Sequence, residues 1–557
     1  MGYCGLLYSQ IGYDIGDPMR ALIRTTEDDR VPEGTRFSVV NVESEAEVAE
    51  GPVKYSGEIW KSHFFELDFS GIDSPGSYRI SVTSSGEEIF ASDAFEIGRA
   101  LLFEKTVRTV ALDQLEERGR RARNQKGWKD CGSDFREANS HATMIIGLCD
   151  LAGAYDWISD SDQKRLYDQM VRGCDYLGAC QDKAAEIGFP EGAVVHEIPN
   201  YMTLIPGDVA QSAVAFAKAS RLLTEVYPEK SDEYLKRAIK AYEFLLNDAK
   251  PHGPAGFSAM NHGAPEDYEV PDEFMTRDLL MMMFAGVELW ISGQLRYQDS
   301  VVKLARKVMR RQVKKERSEG GFYGHFYTFD HSDFTEKANV HHHVGHDTGA
   351  TFPYYLIPFV EILGRWYDHR DAPLWRRTLE DFGYGFLLPA CEKNPFRLIP
   401  EGYFKDEGIL FFCGPWHGTN TSIAFGAALA SKLASVLGDR RFHEIAVGNI
   451  QWIAGLNAGL TKDSFEGSVF FKAEIGEGEA VPFSQIQGVG NRSVGVWTDI
   501  PGSIANGFCV NPQFQLKVKP SAEADGPWLF SDEDWIPHAG GWLTGLTFMR
   551  QYKVYAG

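Results

Sequence analysis

The pattern of apolar and polar positions changes once along the chain, near residue 98. Before that point, apolar and polar residues alternate in short runs: LLYSQIGYD, PMRALIRT, TRFSVVNV, SHFFELDFS, GSYRISVTS and IFASDAFEIG. Gly, Pro, Asp and Ser separate the runs. A period of two is the pattern of strands with one face in a core, and several short strands at this spacing predict an antiparallel sandwich of immunoglobulin type over residues 1–97. No Cys…Trp…Cys spacing accompanies it, so the likeness is to the architecture alone.

From about Ala100 the period lengthens to that of a helix. About twelve amphipathic segments follow, from LLFEKTVRTVALDQLEE at Leu101 to HAGGWLTGLTFMRQYKVY at His538. Many open at Asp, Asn, Ser or Pro, and many come in pairs joined by a short turn. Paired helices in one large unit, with no repeat of fixed period, predict an all-α (α/α)6 barrel over residues 98–557, six helices inside and six outside. Longer irregular segments interrupt the pairs at 186–206, 251–271, 320–346, 395–418 and 461–537. Structureless stretches of that length are usually functional. In a toroidal barrel they would gather at one end and build a cleft.

Composition narrows the partners. A length of 557 residues suits one large domain with a smaller appendage. A formal charge of −22 argues against nucleic acid and anionic membrane, which need a basic footprint. Eight cysteines are scattered without a CxxC pair, so no zinc site and no cofactor is indicated, and no calcium loop of EF type is present. There is no N-terminal basic stretch followed by an apolar run, and no apolar run long enough to span a bilayer. The expectation is a reduced, cytoplasmic protein. Nothing in the sequence sets its oligomeric state.

Two acidic stretches carry the candidate chemistry. In WKDCGSDFREANSH, Trp128 to His141, the carboxylates Asp130 and Asp134 flank Gly132 and Ser133 just ahead of a helical pattern. Converging at the mouth of a barrel, they could hold and deprotonate one water. The same residues also read as a cap, with Asp134 at the N-cap and Glu137 completing a capping box. In WLFSDEDWIPHAGGWL, Asp532, Glu533 and Asp534 stand beside Trp528 and Trp535. A carboxyl group among indole rings is desolvated and keeps its proton, as a general acid must. Alternatively, the three acids simply favour the N-terminus of the helix that starts near His538. Two further clusters are HHHVGHD at His341 to Asp347 and GPWHGTNTS at Gly414 to Ser422.

The strand-to-helix change, the barrel pattern and the two acidic stretches together resemble glycoside hydrolase family 9, with the cellulases that carry an N-terminal Ig-like domain as the nearest match. SQIGYD at Ser9 to Asp14 is similar to the family's NQIGY phrase. GWKDCGSD at Gly127 to Asp134 is similar to its GWxDAGD motif, and SDEDWIPHAGGWL at Ser531 to Leu543 to its NE-containing segment before the last helix. The resemblance implies an inverting O-glycosyl hydrolase, with Asp134 as general base, Asp130 helping to hold the water and Glu533 as general acid. Inversion implies roughly 6.5–9.5 Å between acid and base carboxyl groups.

The sequence also departs from the family. The aspartates are four apart instead of three, and the terminal NE is DE. GVGNRSVGVW at Gly488 to Trp497 is the counterpart of the His-Arg substrate segment, with Arg492 kept and Asn491 where a His is common. These departures resemble the branch of exo-β-D-glucosaminidases and endoglucanase-related proteins. The expected partner is an oligosaccharide with gluco-configured β-1,4 linkages, trimmed from one end, made of glucosamine or of glucose. Asp532, Asp534, Glu137 and Asp347 are candidate partners for a glucosamine ammonium. His342, His343, Asp347 and His417 are candidate hydroxyl ligands; Trp416, Trp497 and Trp535 are candidate stacking faces; Arg492 is a candidate substrate contact. An endo-β-1,4-glucanase is the alternative. A phosphorylase on the same barrel would need a basic phosphate pocket, and a carbohydrate-binding protein without activity would not need three carboxylates.

Overall fold

The computed structural model describes residues 3–26, 28–153, 158–251, 272–318, 320–327, 330, 356–400, 402–404, 409–412, 420–509 and 529–556. Ten strands come first. β1 (Gly5–Leu7), β3 (Arg20–Thr26), β7 (Ser62–Asp68) and β6 (Lys54–Ile59) form one sheet in the order β1-β3-β7-β6. β2 (Tyr13–Asp14), β10 (Phe95–Gly98), β8 (Gly76–Ser84), β4 (Arg36–Asn41) and β5 (Glu47–Pro52) form the other in that order, with β9 (Glu87–Ala91) also pairing β8. The sequence pattern predicted neither β5 nor β6. Both are edge strands, and their mostly exposed side chains show no apolar alternation.

β3 and β7 are buried on both faces, for a reason the alternation does not carry. Ala21, Ile23, Phe65 and Leu67 fill the space between the two sheets. Leu22 and Phe64, one residue out of phase, join the core of the helical domain. Trp60 extends this seam, stacked on Phe396 at 5.9 Å and edge-on to Trp452 at 6.1 Å. Each such buried apolar side chain contributes about 1.5–3 kcal/mol.

Among the described residues, twelve helices follow. α1 runs as Leu101–Arg108, a π-helical turn Thr109–Asp113 and Gln114–Arg121. Then come α2 (Ala138–Ala152), α3 (Asp160–Glu186), α4 (Pro206–Leu223), α5 (Pro228–Asn247), α6 (Thr276–Ile291), α7 (Gln298–Arg310) and α8 (Ile357–Arg365). α9 (Ala372–Phe382, a π-helical turn Gly383–Leu387 and Leu388–Cys391), α10 (Asn420–Leu437), α11 (Arg440–Ala454) and α12 (Ile536–Ala556) complete the set. The even-numbered helices pack side by side in a closed inner ring, and the odd-numbered ones lie outside. Inner helices such as α2, α4, α6 and α10 are buried on nearly every face. This is why their hydrophobic stripe is broad.

The connections are asymmetric. Turns from an inner to the next outer helix are short, whereas every outer-to-inner connection is long. All the long segments predicted from the sequence are of the second kind. They therefore meet at the N-terminal ends of the inner helices. Two short hairpins lie on them, β11 (Gly402–Phe404) with β12 (Ile409–Phe411) and β13 (Ala505–Cys509) with β14 (Leu529–Asp534). At the opposite end of the ring, a cavity of about 240 Å³ is lined by paired charges: Lys218 contacts Asp150 at 2.8 Å, and Arg221 contacts Glu288. Among the described residues no helix is long and apolar enough to cross a membrane, and no group of three or more His, Cys, Asp or Glu is placed to hold a metal ion. The seven described cysteines are free thiols.

Candidate active site

The loop before α2 is fixed from below by aromatic packing. Trp128 is fully buried, its ring stacked on His141 at 5.2 Å and its indole N–H donated to Gln169 at 2.9 Å. The Trp128 backbone N–H donates to His141 Nε2, so Nδ1 carries the imidazole proton and donates to the Glu137 carbonyl. Burial pushes His141 down to about 3, which keeps it neutral. α2 begins at Ala138, so Asp134 is not its N-cap and no capping box forms. The aspartates are thereby available for something else.

Asp130 and Asp134 stand in opposite environments. Asp130 is buried; its Oδ2 accepts the Glu137 backbone N–H at 2.7 Å, and its Oδ1 has no hydrogen-bond partner. Burial and the neighbouring charge of Glu137 raise its carboxyl well above the usual range. Asp134 is 68% exposed, with Lys129 Nζ at 3.6 Å.

The second stretch lies on β14, where alternation sorts the three consecutive acids. Asp532 and Asp534 are fully buried and committed. Asp532 accepts the backbone N–H groups of Val469, Phe470 and Phe471, the Ser468 hydroxyl and the Trp497 indole N–H. Burial pushes its carboxyl up, but these donors outweigh it and hold the group below its ordinary value. Asp534 pairs with the buried Arg118 and accepts from Thr498 N at 3.0 Å and Oγ1 at 2.6 Å. Glu533 lies on the other face, half-buried, and accepts from Asn506 Nδ2 at 3.0 Å. Asp532 and Asp534 are therefore corrected from ammonium partners to structural anchors.

Glycine brings the two stretches together. Gly147 of α2 and Gly540 of α12 cross so closely that a Cβ at Gly147 would fall 2.5 Å from the Gly540 carbonyl oxygen. Gly132 packs against Trp497, where a Cβ would fall 2.4 Å from that ring's own Cβ. The Ile536 N–H donates to the Asp130 carbonyl at 2.9 Å. Cys131 lies within electrostatic reach of both Asp130 and Glu533; burial first, then these two acids, hold its thiol protonated.

Aromatic rings flank the acids on both sides. Tyr201, half-exposed, stacks on Phe135 at 5.8 Å beside Asp134. Phe470, also exposed, stands edge-on to the half-buried Trp497 at 5.8 Å. Trp497 thus has an accessible edge at the site. Trp535 does not: it is buried, edge-on to His538 at 5.9 Å, and forms a wall instead of a stacking face. Arg492 is also corrected. Its guanidinium pairs with Asp93 of the sandwich at 2.6 Å, and Asn491 donates to the Ala94 carbonyl, so this segment ties the two domains together. His342, His343, Asp347, Trp416 and His417 lie outside the described residues.

Sequence reasoning missed a polar group behind Asp130. Glu197 is fully buried; Asn200 donates to its Oε1, and its Oε2 has no partner. Burial and the charge of Glu137 raise its carboxyl. His196 lies between Asp208 at 2.6 Å and Glu137 at 3.5 Å. Burial pushes this imidazole down, but the two acids outweigh it and raise it well above its ordinary value. The only signal in the sequence was the long irregular segment 186–206 that contains them.

Residues 7–87 match the family model described as the cellulase N-terminal ig-like domain. No curated protein matches the chain. Among solved structures, the chain is similar to a metagenome-derived glycoside hydrolase family 9 endoglucanase at 15% identity, with a TM-score of 0.64 over 98% of this chain and 99% of that one. A family 9 protein of Bacteroides ovatus is similar at 16% identity, with a TM-score of 0.62 over 98% of each chain. A thermostable endoglucanase from Alicyclobacillus acidocaldarius is similar at 14% identity, with a TM-score of 0.62 over 98% of this chain and 99% of that one. The chain therefore has the fold of the Ig-bearing family 9 structures, a sandwich followed by an (α/α)6 barrel.

Proposed function

We propose that this chain, with its family 9 fold, is an inverting glycoside hydrolase that cleaves β-1,4 linkages of gluco-configured oligosaccharides. The observation that supports the reading is the meeting of the 130–137 loop with β14, which brings Asp130 and Glu533 within electrostatic reach of Cys131, with Asp134 further along the same loop. Glu533 donates its proton to the glycosidic oxygen as the bond from C1 breaks. A water held against Asp130 attacks C1 from the opposite face and gives its proton to Asp134, so the new hydroxyl is α. The two aspartates divide the work by environment. A base must be ionised, which suits the exposed Asp134. The buried Asp130, crowded by Glu137 and Glu197, suits the holding of a neutral water.

Glucose oligomers are the better-supported substrate. Asp532 and Asp534, two of the carboxylates available to a glucosamine ammonium, are committed to the protein itself. Exo action on short cello-oligosaccharides is the mode proposed. Endo action is the second reading, supported by the similarity of fold to proteins described as endoglucanases. Incubation with cellotetraose and with chitosan tetramer, followed by proton NMR, tests the proposal. Cellotetraose is expected to release an α-anomer first, and only from one end. A β-anomer would refute inversion, mixed internal fragments would establish endo action, and cleavage of the chitosan oligomer alone would restore glucosamine.

A further inference from the structure

Asn506 and Glu533 meet at an irregularity in the backbone pairing. β13 and β14 pair from Ala505↔Asp534 to Cys509↔Leu529, but the register slips between Ala505 and Gly507. The extra residue is on β14, where Asp532 and Glu533 together stand opposite the single Asn506, and a bulge re-aims the side chains it carries. Gly507 follows with φ +95°, where a Cβ would fall 2.4 Å from Gln485 Oε1. The amide of Asn506 is fully buried and, besides the Ser531 hydroxyl at 3.5 Å, reaches Glu533 and His538. Its Nδ2 donates to Glu533 Oε2 at 3.0 Å, and its Oδ1 lies 2.7 Å from His538 Nε2. His538 Nδ1 in turn contacts the Thr421 hydroxyl of α10.

The donor directions follow from the carboxylate. Glu533 in its ionised form can only accept, so Asn506 presents its NH₂ there and its carbonyl to His538. His538 must then donate from Nε2, which leaves Nδ1 to accept from Thr421 when the imidazole is neutral. We infer that Asn506, His538 and Thr421 form a positioning relay that holds Glu533 Oε2 as an acceptor and directs the acidic proton to Oε1, towards the leaving oxygen. The relay draws on β13, α12 and α10, so the acid is oriented by three separate elements. Asn506 and His538 are positioning residues here, since each acts through Glu533.

Cys131 lies within electrostatic reach of Glu533, and Asp130, from the same loop, within reach of Cys131. Asp532 and Asp534 are held on the opposite face of β14. An N–H donated to a carboxylate stabilises its ionised form. Removing it lets Glu533 keep its proton to higher pH, so the alkaline limb of kcat/KM moves up.

The inference rests on the proposed hydrolase reading, and the test separates the two. Wild type, Asn506→Ala, Asn506→Asp, His538→Gln and His538→Ala are assayed on cellotetraose and on 2,4-dinitrophenyl cellobioside, whose leaving group needs no proton. Asn506→Ala is expected to lose about 10²-fold on cellotetraose, the scale of a misplaced catalytic group, with a much smaller loss on the aryl glycoside. Its alkaline limb should move up, and that of Asn506→Asp further, because a like charge then faces Glu533. His538→Gln keeps an N–H donor and should retain most activity, whereas His538→Ala should follow Asn506→Ala. Equal losses on both substrates with an unmoved alkaline limb would overturn the relay while leaving the hydrolase reading intact. A wild type that cleaves neither substrate would overturn both.

Discussion

Buried charge appears in two regions of this molecule with opposite logic. At the seam between sandwich and barrel it is paired. Asp17 accepts from His443 Nε2 at 2.8 Å and from Lys553 Nζ at 2.7 Å. Burial pushes the Asp17 carboxyl up, yet these two partners outweigh it and hold it below its ordinary value. Asp14 caps the start of α1 by accepting the Leu102 N–H; burial raises its carboxyl, and Lys553 is more distant, at 3.4 Å. Behind the cleft, by contrast, Asp130, Glu137 and Glu197 crowd one another, and Asp130 and Glu197 each keep a carboxylate oxygen without a partner. Paired buried charge fixes a geometry. Like charge gathered at the end of a barrel, with raised carboxyl groups, costs stability, and such groups cluster at functional sites.

The contrast breaks first, and furthest, at the acids. Glu533→Gln and Asp134→Asn should each lower the rate on cellotetraose by about 10²–10⁴-fold while the thermal midpoint stays near wild type. If either variant kept full activity, the division of roles would fall. Asp17→Asn should do the reverse. Removing one partner of a buried ion pair costs about 3–5 kcal/mol, read as a lowered urea midpoint, while the folded protein keeps its specific activity. Loss of activity without loss of stability would show that the seam reaches the cleft.

Asp130→Asn sharpens the comparison at smaller scale. A carboxyl whose folded-state pKa is raised opposes folding once it ionises, so its contribution is lost as pH rises through the folded value. The neutral isostere should therefore raise the melting temperature at pH 7 while lowering activity, by about 10²-fold. An unchanged or lowered melting temperature would mean that Asp130 is not strained by its neighbours.

The smallest effect is the pH profile of stability. Asp17, held low, contributes above its unfolded value near 4, and the contribution is lost as pH falls through the folded one. His196, held high by Asp208 and Glu137, contributes fully below about 6.5 and loses its contribution as pH rises through the folded value. Urea midpoints across pH should show the acid-side loss vanish in Asp17→Asn and the alkaline-side loss vanish in His196→Gln.

Much of this fold was legible in the linear pattern. The period of two before residue 98 and the helical period after it located the sandwich and all twelve described helices, because burial writes itself into spacing. The pattern failed at β5 and β6, edge strands whose mostly exposed side chains carry no apolar alternation. The long segments and the two acidic stretches were also visible, since a polar cleft interrupts helical periodicity.

Which residue of each stretch does what was visible only through the family resemblance, not in the residues themselves. Side-chain direction on β14 gives Asp532 and Asp534 to the interior and Glu533 to the cleft, although in sequence they are three equivalent acids. Arg492 looked like a substrate contact until the sandwich supplied Asp93 for it. Asn506 carried no signal at all, because its role depends on a bulge in β14, a strand it meets only after the chain has closed the barrel. Sequence determined the elements and the sites of acidity, because those follow from local period and composition. Tertiary structure alone decided which charges are paired and which are crowded by like charge, because a partner's distance is set by helices and strands hundreds of residues apart.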